Sequence, residues 1–539
     1  MTNKKTKYIF VVGGVMSSVG KGVVSASLGK IIQARGYNVA NIKCDMYVNI
    51  DAGTIRPAEH GEVFVGEDGV EADQDLGNYE RFTDQESLRL HYITTGQVYQ
   101  EVIRRERNLE YGGEDVEVVP DVPKEIIRRL KDCAKKTKAE IVITEFGGTV
   151  GEYQLLLFLE AARMMDIKDP EDVYFVMVSY LPTPTLLGEQ KSKPTQYAIR
   201  TLNSAGISPD FIVCRADKPA TNDIKKTISN ICSLPIDRIV SSPNVDSIYD
   251  VPVVFEKEKL GEELMKTMKL RSRQPEIDDW VELSKKIKGL NKKVVIGIVG
   301  KYFNFKSCRD TYISVIESLQ HAAWYNNRKV DILWLDAEKY ENNKKNLKEL
   351  DEVDGIVVPG GFGERGTEGM ILAAEYARKK KIPYFGLCLG MQIATIEFAR
   401  NIAGLKNANS EELNSETKEP VIHIMEEQKK HMAVKNYGAT MRLGKYNCEL
   451  LKGTISSKAY KSAMISERHR HRFEFNNKYR EDFVKKGLII AGVNPEKNLV
   501  EIVEMPNHPF YVGVQFHPEF KSRPLKPHPL FREFIKASK

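Results

Sequence analysis

Short apolar runs separated by helix-length stretches recur along this chain, and that alternation restricts its possible folds more than any other feature. In the first half the runs cover 8–12, 38–44, 141–144, 173–178 and 211–214. Strands this apolar are buried on both faces, so they predict a parallel sheet covered by helices on each side. A second series begins at Lys293 with KKVVIGIVGKY and continues through VDILWLDA, DGIVVPGGFG and IPYFGLCLG. It predicts a second, doubly wound α/β domain of flavodoxin-like type. Between the two lies 271–291, a polar, helix-like stretch with no strand of its own, which reads as a linker. Domains are therefore expected at 1–270 and 293–539, joined by 271–292. At 539 residues the chain exceeds what one ordinary core holds, in agreement with two domains.

Composition narrows the function classes. Apolar residues at 42% and charged residues at 29% are the balance of a globular protein and exclude a disordered chain. The net charge of +6 comes from 80 basic and 74 acidic residues spread along the sequence, so no nucleic-acid partner is expected. Seven cysteines (44, 133, 214, 232, 308, 388 and 448) are odd in number and never spaced C-x-x-C, which argues against a disulfide framework or a zinc site. The opening MTNKKTKYIFVV runs into GGVMSSVGKG without a cleavage-like segment and reads as a core strand. No window approaches the roughly 18 apolar residues that span a bilayer. No membrane partner and a cytoplasmic location are the expectations.

Near residue 388 the strand-like IPYF enters GLCLGMQ, where Gly386, Cys388 and Gly390 give G-x-C-x-G. Small residues on both sides permit the sharp strand-to-helix turn that exposes a nucleophile, here a thiol. The following helix points its N-terminus at the sulfur and favours thiolate. Backbone amides of the glycine-rich turn in 358–366 (VPGGFGERG) and of Leu389 are candidates for an oxyanion site. GVQFHPEF supplies His517 and Glu519 as general base and the group that orients it.

In this order, PGGFG, G-x-C-x-G-M-Q and F-H-P-E resemble the class I glutamine amidotransferases. The resemblance implies that Cys388 attacks the side-chain amide of glutamine, with His517 and Glu519 completing the triad. It also implies that Gly361, Gln392, Glu412 and Arg472 hold the substrate. His469 and His471 carry no assigned role.

The first strand is followed by GGVMSSVGKG and a helix-forming stretch, so backbone amides and Lys21 make a P-loop-like anion cradle for nucleotide phosphates. The strict motif is not met. Five residues separate Gly14 from Gly20 in place of four, and Gly22 stands where a Ser or Thr would ligate magnesium. Carboxylates must replace the hydroxyl if a metal binds, and Asp75 and Glu145 are the candidates.

GGVMSSVGKG, KCDMYVNIDAGTIRPAEHGEVFV, DLGNYERF, EFGGTVGE and KSKPTQ together resemble the CTP synthases, over nearly the whole chain. Members use ATP to phosphorylate O4 of UTP, and ammonia then displaces phosphate to give CTP. The resemblance implies ATP phosphates on Ser18, Val19, Gly20, Lys21 and Gly22, with Lys43 on the transferring group and Asp246 near the adenine. Asp75 and Glu145 would hold Mg2+. Ser17, Glu152, Lys191, Lys193, Gln196 and Lys226 would face UTP or product CTP. It further implies GTP activation through 435–444 (KNYGATMRLG), CTP inhibition, and a homotetramer. Departures from the usual pattern occur at Met46 and Ala52, at Asp121, and at Glu152 and Gln154, and the segment before Lys435 is shortened. Other readings are an amidoligase that aminates a carboxylate, against which HGEVFV and KSKPTQ argue, and a non-catalytic nucleotide-binding polymer subunit.

Overall fold

The computed structural model describes residues 5–184, 188–301, 308–433 and 437–538, apart from the side chains of Ala58, Cys308 and Met432. These form two compact units: Met1–Ala52 with Asp75–Lys285, and Gly53–Gln74 with Lys286–Lys539.

The first unit is built on a seven-stranded, wholly parallel sheet. Its order is Tyr92–Thr94, Val39–Asp45, Ile141–Phe146, Lys7–Gly13, Val173–Tyr180, Phe211–Ala216 and Ile239–Pro243. The five apolar runs read from sequence are all strands here. They are buried almost throughout, as strands covered on both faces must be. The two edge strands escaped that reading because Tyr92–Thr94 is only three residues long and Ile239–Pro243 (IVSSP) has just two apolar residues before its serines. Phe10 packs against Phe146 at 5.3 Å and Phe175 at 5.6 Å, so the aromatic core lies under the central strands. The adjacent strands Lys7–Gly13 and Ile141–Phe146 send their crossovers in opposite directions, the first toward Val39–Asp45 and the second toward Val173–Tyr180. Right-handed crossovers then place the helices on opposite faces and open a crevice at the carboxyl ends of those two strands.

The stretch read as a linker contains the helix Asp278–Gly289. Trp280 is buried against Phe82 at 5.1 Å and Tyr249 at 5.6 Å, so this part of the stretch is packed into the first unit.

The second unit has a nine-stranded mixed sheet. Lys329–Asp336, Lys293–Gly300, Gly355–Val358, Tyr384–Leu387 and Tyr511–Val514 are parallel. Leu499–Glu504, Ile489–Asn494, Arg442–Leu450 and Met464–His471 extend it antiparallel. Helices pack on both faces of the parallel part, giving two cores. Residues 53–74, which the sequence limits leave with the first domain, pack here. Among the described residues no helix is long and apolar enough to cross a membrane.

Candidate functional site

Tyr384–Leu387 ends at the turn that carries Cys388, and the helix Leu389–Asn401 starts directly after it. Cys388 has φ 50° and ψ −98°, a left-handed conformation that a side-chain-bearing residue holds only where its surroundings enforce it. Here the two glycines do so. A Cβ on Gly386 would lie 2.5 Å from the Gly390 carbonyl, and one on Gly390 would lie 2.2 Å from the Val358 oxygen. Gly390→Ala is therefore expected to cost about 1–3 kcal/mol of stability and to displace the thiol, lowering thermal midpoint and glutaminase rate together. An unchanged midpoint would show that the turn relaxes freely.

The His517 ring and the thiol face each other across Gly360, where a single Cβ would touch His517 Cε1 at 2.8 Å and Cys388 Cβ at 3.7 Å. Glu519 Oε1 holds His517 Nδ1 at 2.7 Å, and Phe520 stacks on the ring at 5.2 Å. Nε2 has no hydrogen-bond partner among the described residues. Burial pulls the His517 pKa down, but Glu519 and Cys388 outweigh it and raise it to about 10. An imidazole placed between a carboxyl group and a thiol is positioned to hold and pass a proton.

These groups open on a cavity of about 780 Å3, lined also by Gly360, Gly361, Glu412 and Arg472. Glu412 accepts from Gly363 N at 3.0 Å; burial raises its pKa, against the pull of that bond and of Lys301. Arg472 is aimed by Gln428 Oε1 at 2.5 Å, Thr440 Oγ1 at 2.9 Å and the Tyr437 carbonyl at 2.6 Å. Leu389 is the first residue of the helix, where backbone N–H groups have no acceptor within the helix. Gln392 lies one helical turn behind the thiol, with Nε2 3.1 Å from the Phe473 carbonyl. His469 and His471 are buried, 3.1 Å apart, and held neutral by desolvation.

Sequence reading missed the wall made by residues 53–63. Alternation along Met464–His471 and the residue after it turns Arg468, Arg470 and Arg472 to one side and His469 and His471 to the other. Arg468 pairs with Glu67 at 3.0 Å and Arg470 with Glu71 at 2.8 Å, while Ser314 N donates to Glu62 at 3.1 Å. The signal was present as spaced glutamates in HGEVFVGEDGVE facing the period-two arginines of RHRHR. Within 435–444, Lys435 and Asn436 lie outside the described residues.

In the first unit the loop after Lys7–Gly13 turns through left-handed conformations at Val15, Ser18 and Gly20 before the helix Lys21–Gln33. Lys21 Nζ donates to the Gly148 carbonyl at 2.8 Å, bridging this loop to the one after Ile141–Phe146. Lys43 Nζ contacts Asp75 Oδ2 at 2.5 Å and Glu145 Oε1 at 3.0 Å. Tyr79 also donates to Glu145. Burial, then the neighbouring Asp75, raises the Glu145 pKa to about 7 against the pull of Lys43 and Lys21. A Cβ on Gly22 would stand 1.8 Å from Asp75 Oδ1. Glycine at this position thus lets the Asp75 carboxylate occupy the space that a motif hydroxyl would take.

The remaining nucleotide candidates also follow the carboxyl ends of strands. Glu152 accepts from Thr149 N at 2.8 Å, and Ser17, in the loop, is exposed. Lys191 pairs with Glu189 at 3.1 Å; Lys193 opens the helix Lys193–Ser204, and Gln196 is buried against Ser192 at 2.9 Å. Lys226 and Asp246 are exposed, whereas Lys225 is tied to Glu258 at 2.6 Å.

Two family profiles match the chain: "CTP synthase N-terminus" over residues 7–270 and "Glutamine amidotransferase class-I" over residues 307–537. A CTP synthase of Clostridium kluyveri is 49% identical over 99% of this chain and 98% of its own length. One of Caldanaerobacter subterraneus is 49% identical over 98% of each. A solved Trypanosoma brucei CTPS glutaminase domain with bound acivicin is 43% identical, covering 46% of this chain and 93% of that one, with a TM-score of 0.42. With near-complete coverage by relatives at this identity and both halves matched in order, the chain belongs to the CTP synthase family.

Proposed function

We propose that the protein converts UTP, ATP and glutamine to CTP, ADP, phosphate and glutamate. The observation that carries this reading is the pairing of a strained, glycine-flanked Cys388 facing His517 and Glu519 with a separate Lys21, Lys43, Asp75 and Glu145 cluster beside a phosphate-type loop.

In the second unit, the Cys388 sulfur attacks Cδ of glutamine, and the proton held by His517 passes to the departing nitrogen, releasing ammonia. Amides at Gly361 and Leu389 stabilise the tetrahedral oxyanion. Water then cleaves the thioester, with His517 now accepting a proton. Glu412 and Arg472 bind the charged end of the substrate, and Gln392 supports the same region.

In the first unit, O4 of UTP takes the γ-phosphoryl group of ATP, ammonia adds at C4, and phosphate leaves with the C–O bond. A carbonyl oxygen is a poor leaving group and phosphate a good one, which is why ATP is consumed. Backbone amides of Ser18, Val19, Gly20 and Gly22 cradle phosphates, with Lys21 and Lys43 offsetting the developing charge. Asp75 and Glu145 fit Mg2+, which when bound would neutralise phosphate charge. Asp246 serves the adenine; Ser17, Glu152, Lys191, Lys193, Gln196 and Lys226 serve UTP or CTP. Ammonia is mostly protonated at neutral pH and only the free amine attacks, so an enclosed transfer serves the chemistry. GTP activation, CTP inhibition, a homotetramer, a cytoplasmic location and the 1–270, 271–292 and 293–539 division belong to the same proposal.

The test is direct: purified protein with ATP, Mg2+, UTP and glutamine should form CTP, and its absence would defeat the proposal. Lys21→Ala should end synthesis while sparing glutamine hydrolysis, since Lys21 sits only in the first cluster; robust CTP output from this variant would remove Lys21 from the mechanism.

A further inference from the structure

Gln515 is completely buried immediately after the strand Tyr511–Val514, with its backbone N–H donating to the Glu501 carbonyl at 2.9 Å. Its Nε2 lies 3.6 Å from Cys388 Sγ. Strand alternation carried through Q-F-H puts Gln515 and His517 on one side, so both reach the same thiol.

The direction of the carboxamide follows from its neighbours. The Phe473 carbonyl can only accept, so the Gln392 NH2 must face it, at 3.1 Å. The same NH2 lies 3.4 Å from Gln515 Oε1. The Gln515 oxygen therefore faces Gln392, and its own NH2 faces the sulfur. On another side, the Arg470 carbonyl lies 3.9 Å from Sγ and can accept only from a neutral thiol. The sulfur thus has one partner that favours S–H and one that favours S−.

We infer that Gln515 is a working member of the thiol site, donating a hydrogen bond that stabilises the Cys388 thiolate, with Gln392 positioning it. This rests on Cys388 being the glutamine nucleophile. When the sulfur ionises, the bond to Arg470 is lost and the one from Gln515 gains a charged acceptor and strengthens. The same donor serves twice, first as the thiolate forms and again as it departs from the thioester. A buried glutamine that merely fills space would leave thiol ionisation unchanged on replacement.

The experiment uses the full chain and follows alkylation of Cys388 by iodoacetamide against pH, read by mass spectrometry. Gln515→Leu should move the midpoint upward by roughly one to two pH units, because hydrogen bonds to charged groups are the strong ones. Glutaminase kcat should fall roughly tenfold or more, with a smaller change in KM for glutamine. Gln515→Glu, nearly the same shape but bearing negative charge, should move the midpoint further in the same direction. CTP synthesis from added ammonium reports that each variant is folded. Midpoints coinciding with the native protein in both variants would overturn the inference. Glutaminase surviving in Cys388→Ala would instead overturn the underlying reading, and the alkylation profiles keep the two failures apart.

Discussion

Replacing Cys388 with alanine is expected to lower glutamine-dependent CTP formation on the order of 10⁴-fold or more, while synthesis from added ammonium persists. The size follows from chemistry: without sulfur there is no thioester, and neither His517 nor the oxyanion amides can substitute for the missing bond. The selectivity follows from separation. Cys388, His517 and Glu519 belong to the second unit, and Lys21, Lys43, Asp75 and Glu145 to the first. Initial rates with glutamine and with ammonium chloride, measured side by side, check this. Parallel loss of both activities would mean that the two chemistries share one site.

The complementary substitution is Gly22→Ser. It restores the residue type of a strict phosphate-loop motif, yet it should abolish synthesis, with a loss of roughly 100-fold or more. The new Cβ would lie 1.8 Å from Asp75 Oδ1 and 2.5 Å from its Cγ, so the carboxylate must be driven out. Lys43 holds Asp75 at 2.5 Å and Glu145 at 3.0 Å, and moving one carboxylate disturbs the balance of charge around the lysine. A shift of about 1 Å in groups that position a transferring phosphoryl is costly. Glutamine hydrolysis should survive. If Gly22→Ser keeps full synthesis, a hydroxyl can replace Asp75 and the account of this loop is wrong.

Much of this architecture is legible in the sequence because burial leaves a simple trace. The five parallel strands of the first half stand out as apolar runs, G-x-C-x-G and GGVMSSVGKG mark turns whose glycines are required by contact or by φ, and F-H-P-E places a histidine and a carboxylate side by side. Strands such as Arg442–Leu450 were harder to see. Burial does alternate along that strand, but two of its inward positions are Arg442 and Gly444 and Leu443 falls on the other side, so the apolar residues alone do not trace the period. Segment 53–74 was illegible for another reason. Its placement is a long-range pairing of Glu67 and Glu71 with Arg468 and Arg470, about 400 positions away by their numbering, and local pattern carries no information about distant partners. Gln515 was hidden by the motif around it: its role depends on the orientation of Gln392, which only the fold fixes.

The central claim is that nitrogen freed at Cys388 is consumed at the pyrimidine. Supplying glutamine labelled with 15N at the side-chain amide, together with UTP, ATP, Mg2+ and unlabelled ammonium, tests it most directly. At pH near 7, where little ammonium is present as free amine, the 4-amino group of CTP should carry 15N well above its share of the mixed pool. CTP labelled only in proportion to bulk ammonium, or no label at all, would contradict the account.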